Sequence, residues 1–233
     1  MKIDLKVETL KRSWLFRGVD EEGLKEMASV AVYRRFHKGE YVFHQGDPPE
    51  FVYIISSGKV KHFKIALSGR IFTTAITCHG DPLNAMAAFG TKSSIVSAQA
   101  MSETRVIVIA KKDFLSFVEK YPIMMTGLIQ AMTMIINTAY ERLSDFAGET
   151  ASQRVFNTLQ MLCRKFGDTV SFTREEIADF AGTTPETAVR VLSRLRSAGI
   201  IETKRGRIVV LDEAKLHDQC RCSYKAPFDL PEE

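Results

Sequence analysis

The sequence predicts an α+β protein with an N-terminal β-sandwich or barrel, a long helix, and a C-terminal helix-turn-helix followed by a basic hairpin. Three observations carry this. Glycine recurs at Gly39, Gly46, Gly58, Gly69 and Gly80, and the runs between are rich in Val, Ile, Phe, Tyr and Thr, the pattern of short strands with regular turns. Residues 121–140 carry no Lys, Arg, Asp or Glu. Finally, Thr173–Gly199 holds two helical segments, each with its own start and stop signals, around Ala181-Gly182-Thr183. The expected domains are residues 1–120, 121–148 and 149–233.

Residues 7–30 read as short helices, with Asp20-Glu21-Glu22 as an acidic first turn. Strands are expected at Tyr41-Val42-Phe43, Val52-Tyr53-Ile54-Ile55 and Ile71-Phe72-Thr73-Thr74. In later strands Val96, Ala98 and Ala100 share one face and Val106 and Val108 another. Asp113 opens a short helix that Tyr121-Pro122 breaks, and Pro122 suits the first turn of the next.

That long helix passes the crude length test for a membrane span, but its residues divide into stripes. Thr126, Gln130, Thr133 and Asn137 form a polar one; Leu128, Met132, Ile135, Ala139 and Leu143 form an apolar one with steps of three and four. Such a division predicts a helix that buries one face against a partner rather than one immersed in lipid. Gly148 ends it and reads as a hinge. Val155, Phe156, Leu159, Leu162, Cys163 and Phe166 then share a helical face capped by Gly167, which makes Cys163 a core residue.

Thr173-Arg174-Glu175-Glu176 is a capping box. Thr184 is an N-cap with Pro185 at the first helical position. The second helix buries Ala188, Val191, Leu192 and Leu195, leaving Glu186, Val189, Arg190 and Arg194 outward. Glu186 and Arg190 are four apart near the helix N-terminus, where a recognition helix meets base edges. Arg can bind guanine O6 and N7, Glu can accept from a cytosine amino group, and Val can touch a thymine methyl. Two short strands follow, joined by a tight Arg205-Gly206 turn. Lys204, Arg205 and Arg207 form a basic tip suited to phosphates. Thr173, Thr184 and Thr187 complete the expected contact set on double-stranded DNA.

The net charge of +4 is weak support taken alone. Four cysteines in 233 residues do not form a secreted disulfide framework, and the N-terminus has no apolar signal run. A cytoplasmic protein is expected. The five histidines show no short metal spacing, and there is no nucleophile elbow, phosphate loop or HExxH helix, so an enzyme is not expected.

Lys38-Gly39-Glu40-Tyr41-Val42-Phe43-His44-Gln45-Gly46-Asp47, the run Val52–Val60 and the segment Thr173–Ile201 together resemble the cyclic-AMP receptor protein and fumarate-nitrate reduction regulator family. The resemblance covers the chain to about residue 215. It implies a jelly-roll effector domain like those that bind cyclic nucleotides, a dimerisation helix and a winged helix-turn-helix. It also implies a homodimer on a near-palindromic operator, with RNA polymerase as a further partner.

Departures from the family bear on the effector. Asn84-Ala85 stand where nucleotide-binding members have Gly-Glu, Ser94-Ile95 where they have Arg-Ser, and Ala139-Tyr140 where the dimer helix carries a hydroxyl pair. Without that arginine nothing obvious neutralises a cyclic phosphate, so cyclic AMP is not expected. No cysteine precedes Cys78, which argues against the N-terminal iron–sulfur cluster. The segment Asn84–Ala100 looks more like haem-dependent, nitric-oxide-responsive members. Phe72, Met86, Phe89 and Met132 could line an apolar pocket, with Cys78-His79 as candidate haem ligands. An alternative is a constitutive or thiol-responsive regulator using Cys220 and Cys222, two thiols that do not complete a four-ligand metal site. Pro-Glu-Thr-Ala-Val-Arg at 185–190 resembles the oxygen- and nitric-oxide-responsive branch, whose half-sites look like TTGA.

Overall fold

The computed structural model describes residues 3–90, 92–204 and 206–219. The chain forms two units. The first comprises the residues up to Lys64 together with Thr74–Met132; the second joins Ile65–Thr73 to the chain from Thr133 onward.

The first unit opens with α1 (Ile3–Lys11), a 3-10 turn at Trp14–Phe16 and α2 (Glu21–Val30). Asp20 caps α2 by accepting from the Gly23 amide at 2.8 Å. Eight strands follow: β1 (Val32–Phe36), β2 (Tyr41–Phe43), β3 (Phe51–Ser57), β4 (Val60–Ile65), β5 (Ile71–Thr77), β6 (Pro82–Leu83), β7 (Ser97–Ala100) and β8 (Thr104–Ala110), with the short α3 (Ala87–Gly90) between β6 and β7. They make two four-stranded sheets, in the orders β1-β8-β3-β6 and β2-β7-β4-β5. All five expected glycines have positive φ. Gly58 cannot be replaced without strain, since a Cβ there would lie 2.5 Å from Thr104 Oγ1.

Period two explains the dense apolar runs. In β3, Tyr53 and Ile55 face the second sheet, in a core with Phe36, Phe43, Val60, Ala98 and Val106. Val52 and Ile54 point the other way, into a second core with Leu10, Phe16, Met27, Phe114 and Leu128. Its neighbour β8 does the same, which is why Ile107 and Ile109 are apolar as well as Val106 and Val108. A central strand covered on both faces loses the polar half of its alternation.

α4 (Lys111–Lys120) starts two residues before Asp113, and Tyr121-Pro122 separates it from α5 (Ile123–Gly148). α5 is the one helix among the described residues long and apolar enough to cross a membrane by length and composition. Its apolar residues divide differently from the expected stripe. Leu128 is 3% exposed because it fills the helix-side core of the first unit. The exposed stripe is Met125, Ile129, Met132, Ile136, Ala139 and Leu143, with Ile135 and Tyr140 beside it. These six alternate in steps of four and three, a heptad seam. The polar stripe Thr126, Gln130, Thr133 and Asn137 is exposed as expected.

In the second unit α6 (Ala151–Phe166) is capped by Thr150 and stopped by Gly167 at φ 77°. Cys163 is 5% exposed, and burial pushes its thiol up to about 12. The thiolate is the nucleophile, so Cys163 in the native protein is expected to stay unmodified by iodoacetamide at about pH 8 and to react once unfolded. Peptide mass mapping checks this, and native-state labelling would show that the site opens.

Candidate nucleic-acid interface

After the short β9 (Thr169–Val170) come α7 (Arg174–Ala181), α8 (Pro185–Ser197), β10 (Ile201–Lys204), β11 (Arg207–Val210) and α9 (Glu213–Gln219). Local chemistry sets the first two. Thr173 Oγ1 accepts from the Glu176 amide at 3.2 Å, and Glu176 Oε2 accepts from the Thr173 amide at 2.7 Å. Gly182 ends α7 in the left-handed region, φ 59° and ψ 43°. A Cβ at Gly182 would lie 2.5 Å from the Phe146 ring. Gly182→Ala is therefore expected to cost about 1–3 kcal/mol, read as a lower denaturant midpoint at unchanged m. Thr184 then caps α8 by accepting from the Thr187 amide at 3.3 Å, and Pro185 takes N1.

One face of α8, namely Ala188, Val191, Leu192 and Leu195, is at most 2% exposed. It packs on α6 and α7, as the contacts of α8 with both helices show. Val191, Leu192 and Leu195 each contribute roughly 1.5–3 kcal/mol by leaving water. The opposite face presents Glu186, Arg190, Ser193 and Arg194 to solvent, with Val189 half-buried between. Among the described residues Arg190 and Arg194 form no ion pair, so their donors are available. Glu186 is drawn back onto its own amide and the Thr184 hydroxyl, which holds its carboxyl below the usual range. It is ionised at neutral pH, an acceptor only.

β10 and β11 pair from Ile201↔Val210 to Lys204↔Arg207, with Gly206 in the turn at φ 72°. This is the expected wing. Lys204 is tied to Glu202 at 3.1 Å, with both side chains about half exposed, while Arg207 is exposed. Arg205 lies outside the described residues. β9 pairs with β11 as a third strand, Ile208↔Val170. Two residues carry no periodicity, which is why the sequence gives no sign of this strand.

Two family models match in sequence order: a cyclic nucleotide-binding domain over residues 33–121 and a Crp-like helix-turn-helix domain over residues 153–219. The chain belongs to the cyclic-AMP receptor protein and fumarate-nitrate reduction regulator family. It is accordingly a DNA-binding transcription regulator. Among the family's members, the cyclic AMP receptor protein of Thermus thermophilus is 28% identical over 210 residues, covering 90% of this chain and 97% of that one. The transcriptional activator protein anr of Pseudomonas aeruginosa is 27% identical over 191 residues, 78% of each. The structure of the c-di-GMP responsive regulator CLP of Xanthomonas campestris superposes at TM-score 0.72 with 18% identity, covering 82% of this chain and 99% of that one, and so shares the fold.

The residues expected at the family's nucleotide positions, Asn84, Ala85, Ser94 and Ile95, carry no charge. Asn84 adopts φ 65°, Ala85 is buried, and Ile95 is 66% exposed. Ser94 is 2% exposed and tied to the turn after β2, its amide donating to the Asp47 carbonyl at 2.8 Å and its carbonyl accepting from Gly46 at 2.9 Å. Of the expected pocket residues, Met86 packs against the helix-side core, and Phe89 lies edge-on to Phe114 at 5.9 Å, 44% exposed. Met132 is on the exposed seam of α5, and Phe72 belongs to the second unit, edge-on to Phe146 at 5.4 Å.

Cys78-His79 sits in the turn after β5. His79 Nδ1 is 2.6 Å from the Ser56 carbonyl and Nε2 is 3.4 Å from Arg12 Nη1. Both ring nitrogens are engaged, so His79 does not fit an axial haem ligand as it stands. Among the described residues no group of three or more His, Cys, Asp or Glu gathers for a metal. Cys220 and Cys222 lie outside the described residues.

Proposed function

We propose that the chain is a homodimeric, sequence-specific regulator that reads a near-palindromic operator with TTGA-like half-sites and responds to an effector other than cyclic AMP. It acts in the cytoplasm, with RNA polymerase as its downstream partner, and is not an enzyme. The exposed face of α8 carries this reading. Glu186 and Arg190 project from the first two turns of a capped helix, ahead of a basic wing. The seam on α5 supports the dimer. Ile129, Ile136 and Leu143 take one heptad position and Met125, Met132 and Ala139 the other, the spacing by which one helix packs along a second. Against cyclic AMP stands the absence of any arginine from the 84–95 segment that would pair its phosphate.

Selection of bound duplexes from a random-sequence pool tests the reading. The expected product is an inverted TTGA-like repeat with half-site centres about ten base pairs apart. Recovery of an unstructured pool would overturn it. Absorption spectra of the anaerobically purified protein, with and without haem and nitric oxide, decide the effector class. A stoichiometric Soret band shifting with nitric oxide would place the sensor with haem despite the engaged His79, and a featureless spectrum would leave a colourless organic ligand or thiol chemistry.

A further inference from the structure

Arg142, on the C-terminal half of α5, ties together three stretches of the second unit. Its guanidinium lies 4.5 Å from the Phe72 ring centroid and 4.6 Å from that of Phe180. Nη1 donates to the Thr73 carbonyl at 2.9 Å, and Nη2 donates to the Phe180 carbonyl at 2.5 Å. Phe72 leans edge-on against Phe146 of the same helix. One side chain thus holds the start of β5, the long helix and the end of α7. The β4–β5 turn is closed by Gly69 donating to Ala66 at 2.8 Å and Ala66 donating to Arg70 at 2.9 Å.

The end of α7 is where such a clamp has leverage. The last carbonyls of a helix have no partner within it, and cations suit that end. Arg142 takes the Phe180 carbonyl. Arg154 from α6 takes the next two, Ala181 at 3.0 Å and Gly182 at 3.3 Å, while its guanidinium lies 4.9 Å from the Phe146 ring. Two residues later Thr184 starts α8. The domain has a buried core of its own. Val155, Leu159, Ile177, Ala178, Val191 and Leu192 are buried and lie on α6, α7 and α8 alone. Phe72 is half-buried, and its ring lies against the Arg142 guanidinium and the Phe146 ring.

We propose that Phe72 and Arg142 are positioning residues for DNA reading. The segment Ile65–Thr73, the tip of the β4–β5 hairpin, is a strap that fixes α7, and through the Gly182–Thr184 turn α8, in one orientation on the long helix. These bonds and ring contacts run to Phe72, Thr73 and Phe180 and not to Glu186 or Arg190, so the strap acts on the orientation of the helix that carries the base-reading side chains. The inference rests on the DNA-reading role of α8 proposed above. A dimer reads two half-sites at fixed spacing, so loosening the orientation weakens operator binding while leaving phosphate-driven binding intact.

The test uses the full-length protein and two duplexes of equal length: one recovered by selection and one of unrelated sequence. Phe72→Ala and Arg142→Gln are each expected to weaken operator binding by between about 3-fold and 30-fold, and binding to the unrelated duplex by less than about twofold. The double variant should be no weaker than the worse single, because both changes break one contact. Arg142→Lys, which keeps a cation between the rings but cannot fork to both carbonyls, should fall between. Phe72→Leu serves in place of Phe72→Ala if the latter melts early, with the same expectation. Wild-type operator affinity in both singles, additive losses in the double, or equal losses on the two duplexes would each overturn the strap. Wild-type protein that does not discriminate between the duplexes would overturn the DNA-reading itself, so the two failures are separable.

Discussion

Replacing Arg190 by alanine is expected to remove most base discrimination while leaving the protein folded, dimeric and able to bind DNA of any sequence. Arg190 is exposed, makes no ion pair among the described residues, and lies one turn after Glu186 on the same face of α8. Nothing in the core depends on it, since the buried positions are Ala188, Val191, Leu192 and Leu195. A bidentate arginine–guanine pair contributes about 1–3 kcal/mol of discrimination. A dimer loses two, or about 2–6 kcal/mol, which is roughly 30-fold to more than 10⁴-fold in operator affinity. Gel-shift titration should show the loss confined to the selected duplex, with a relaxed base preference at the position that pairs with Arg190. A uniform loss across sequences would make Arg190 a phosphate contact. Arg207→Gln on the wing is the contrasting case. It should weaken all duplexes alike and flatten the salt dependence by about one unit of slope per lost phosphate contact. Lys204 is a poorer probe, because its bond to Glu202 must first be exchanged for a phosphate.

The recognition domain was legible in the sequence because its boundaries are fixed by short-range chemistry. Thr173, Glu176, Gly182, Thr184 and Pro185 each act within four residues, and each is found in its expected role. The roll was legible through its glycines, which mark turns that need positive φ. What sequence reasoning misplaced was the phase of α5. A stripe through Leu128 and Ile135 is as periodic as one through Ile129 and Ile136, and only packing of Leu128 against Leu10, Phe16 and Met27 shows that one of them faces inward. The clamp was not legible at all. Arg142 and Phe72 are 70 residues apart, and the pairing of a cation with two aromatic rings has no sequence period. Its one local trace is the unsatisfied end of α7, which calls for donors without saying which arginines supply them.

The second large effect is expected from the seam of α5. Ile136→Glu places a carboxylate in the middle of a heptad face whose neighbours Ile129, Met132, Ala139 and Leu143 are exposed in the single chain. In the monomer the change is nearly neutral, because Ile136 is 50% exposed and belongs to neither core of the first unit. In a parallel pair of helices the two glutamates meet at one level of the seam. An unpaired charge buried in apolar surroundings costs several kcal/mol or is avoided by separation, and the like charge opposite adds to this. Sedimentation is therefore expected to show a folded monomer with unchanged helix content. Operator affinity should fall by at least ~100-fold, because the second half-site is no longer delivered at high effective concentration. Asn137→Glu, one residue along on the exposed polar stripe, should leave both mass and affinity near wild type. The pair of variants separates a seam from a merely charge-sensitive helix: a dimer that survives Ile136→Glu, or one lost equally in Asn137→Glu, would mean that the two copies meet elsewhere and that the exposed apolar face of α5 has another occupant.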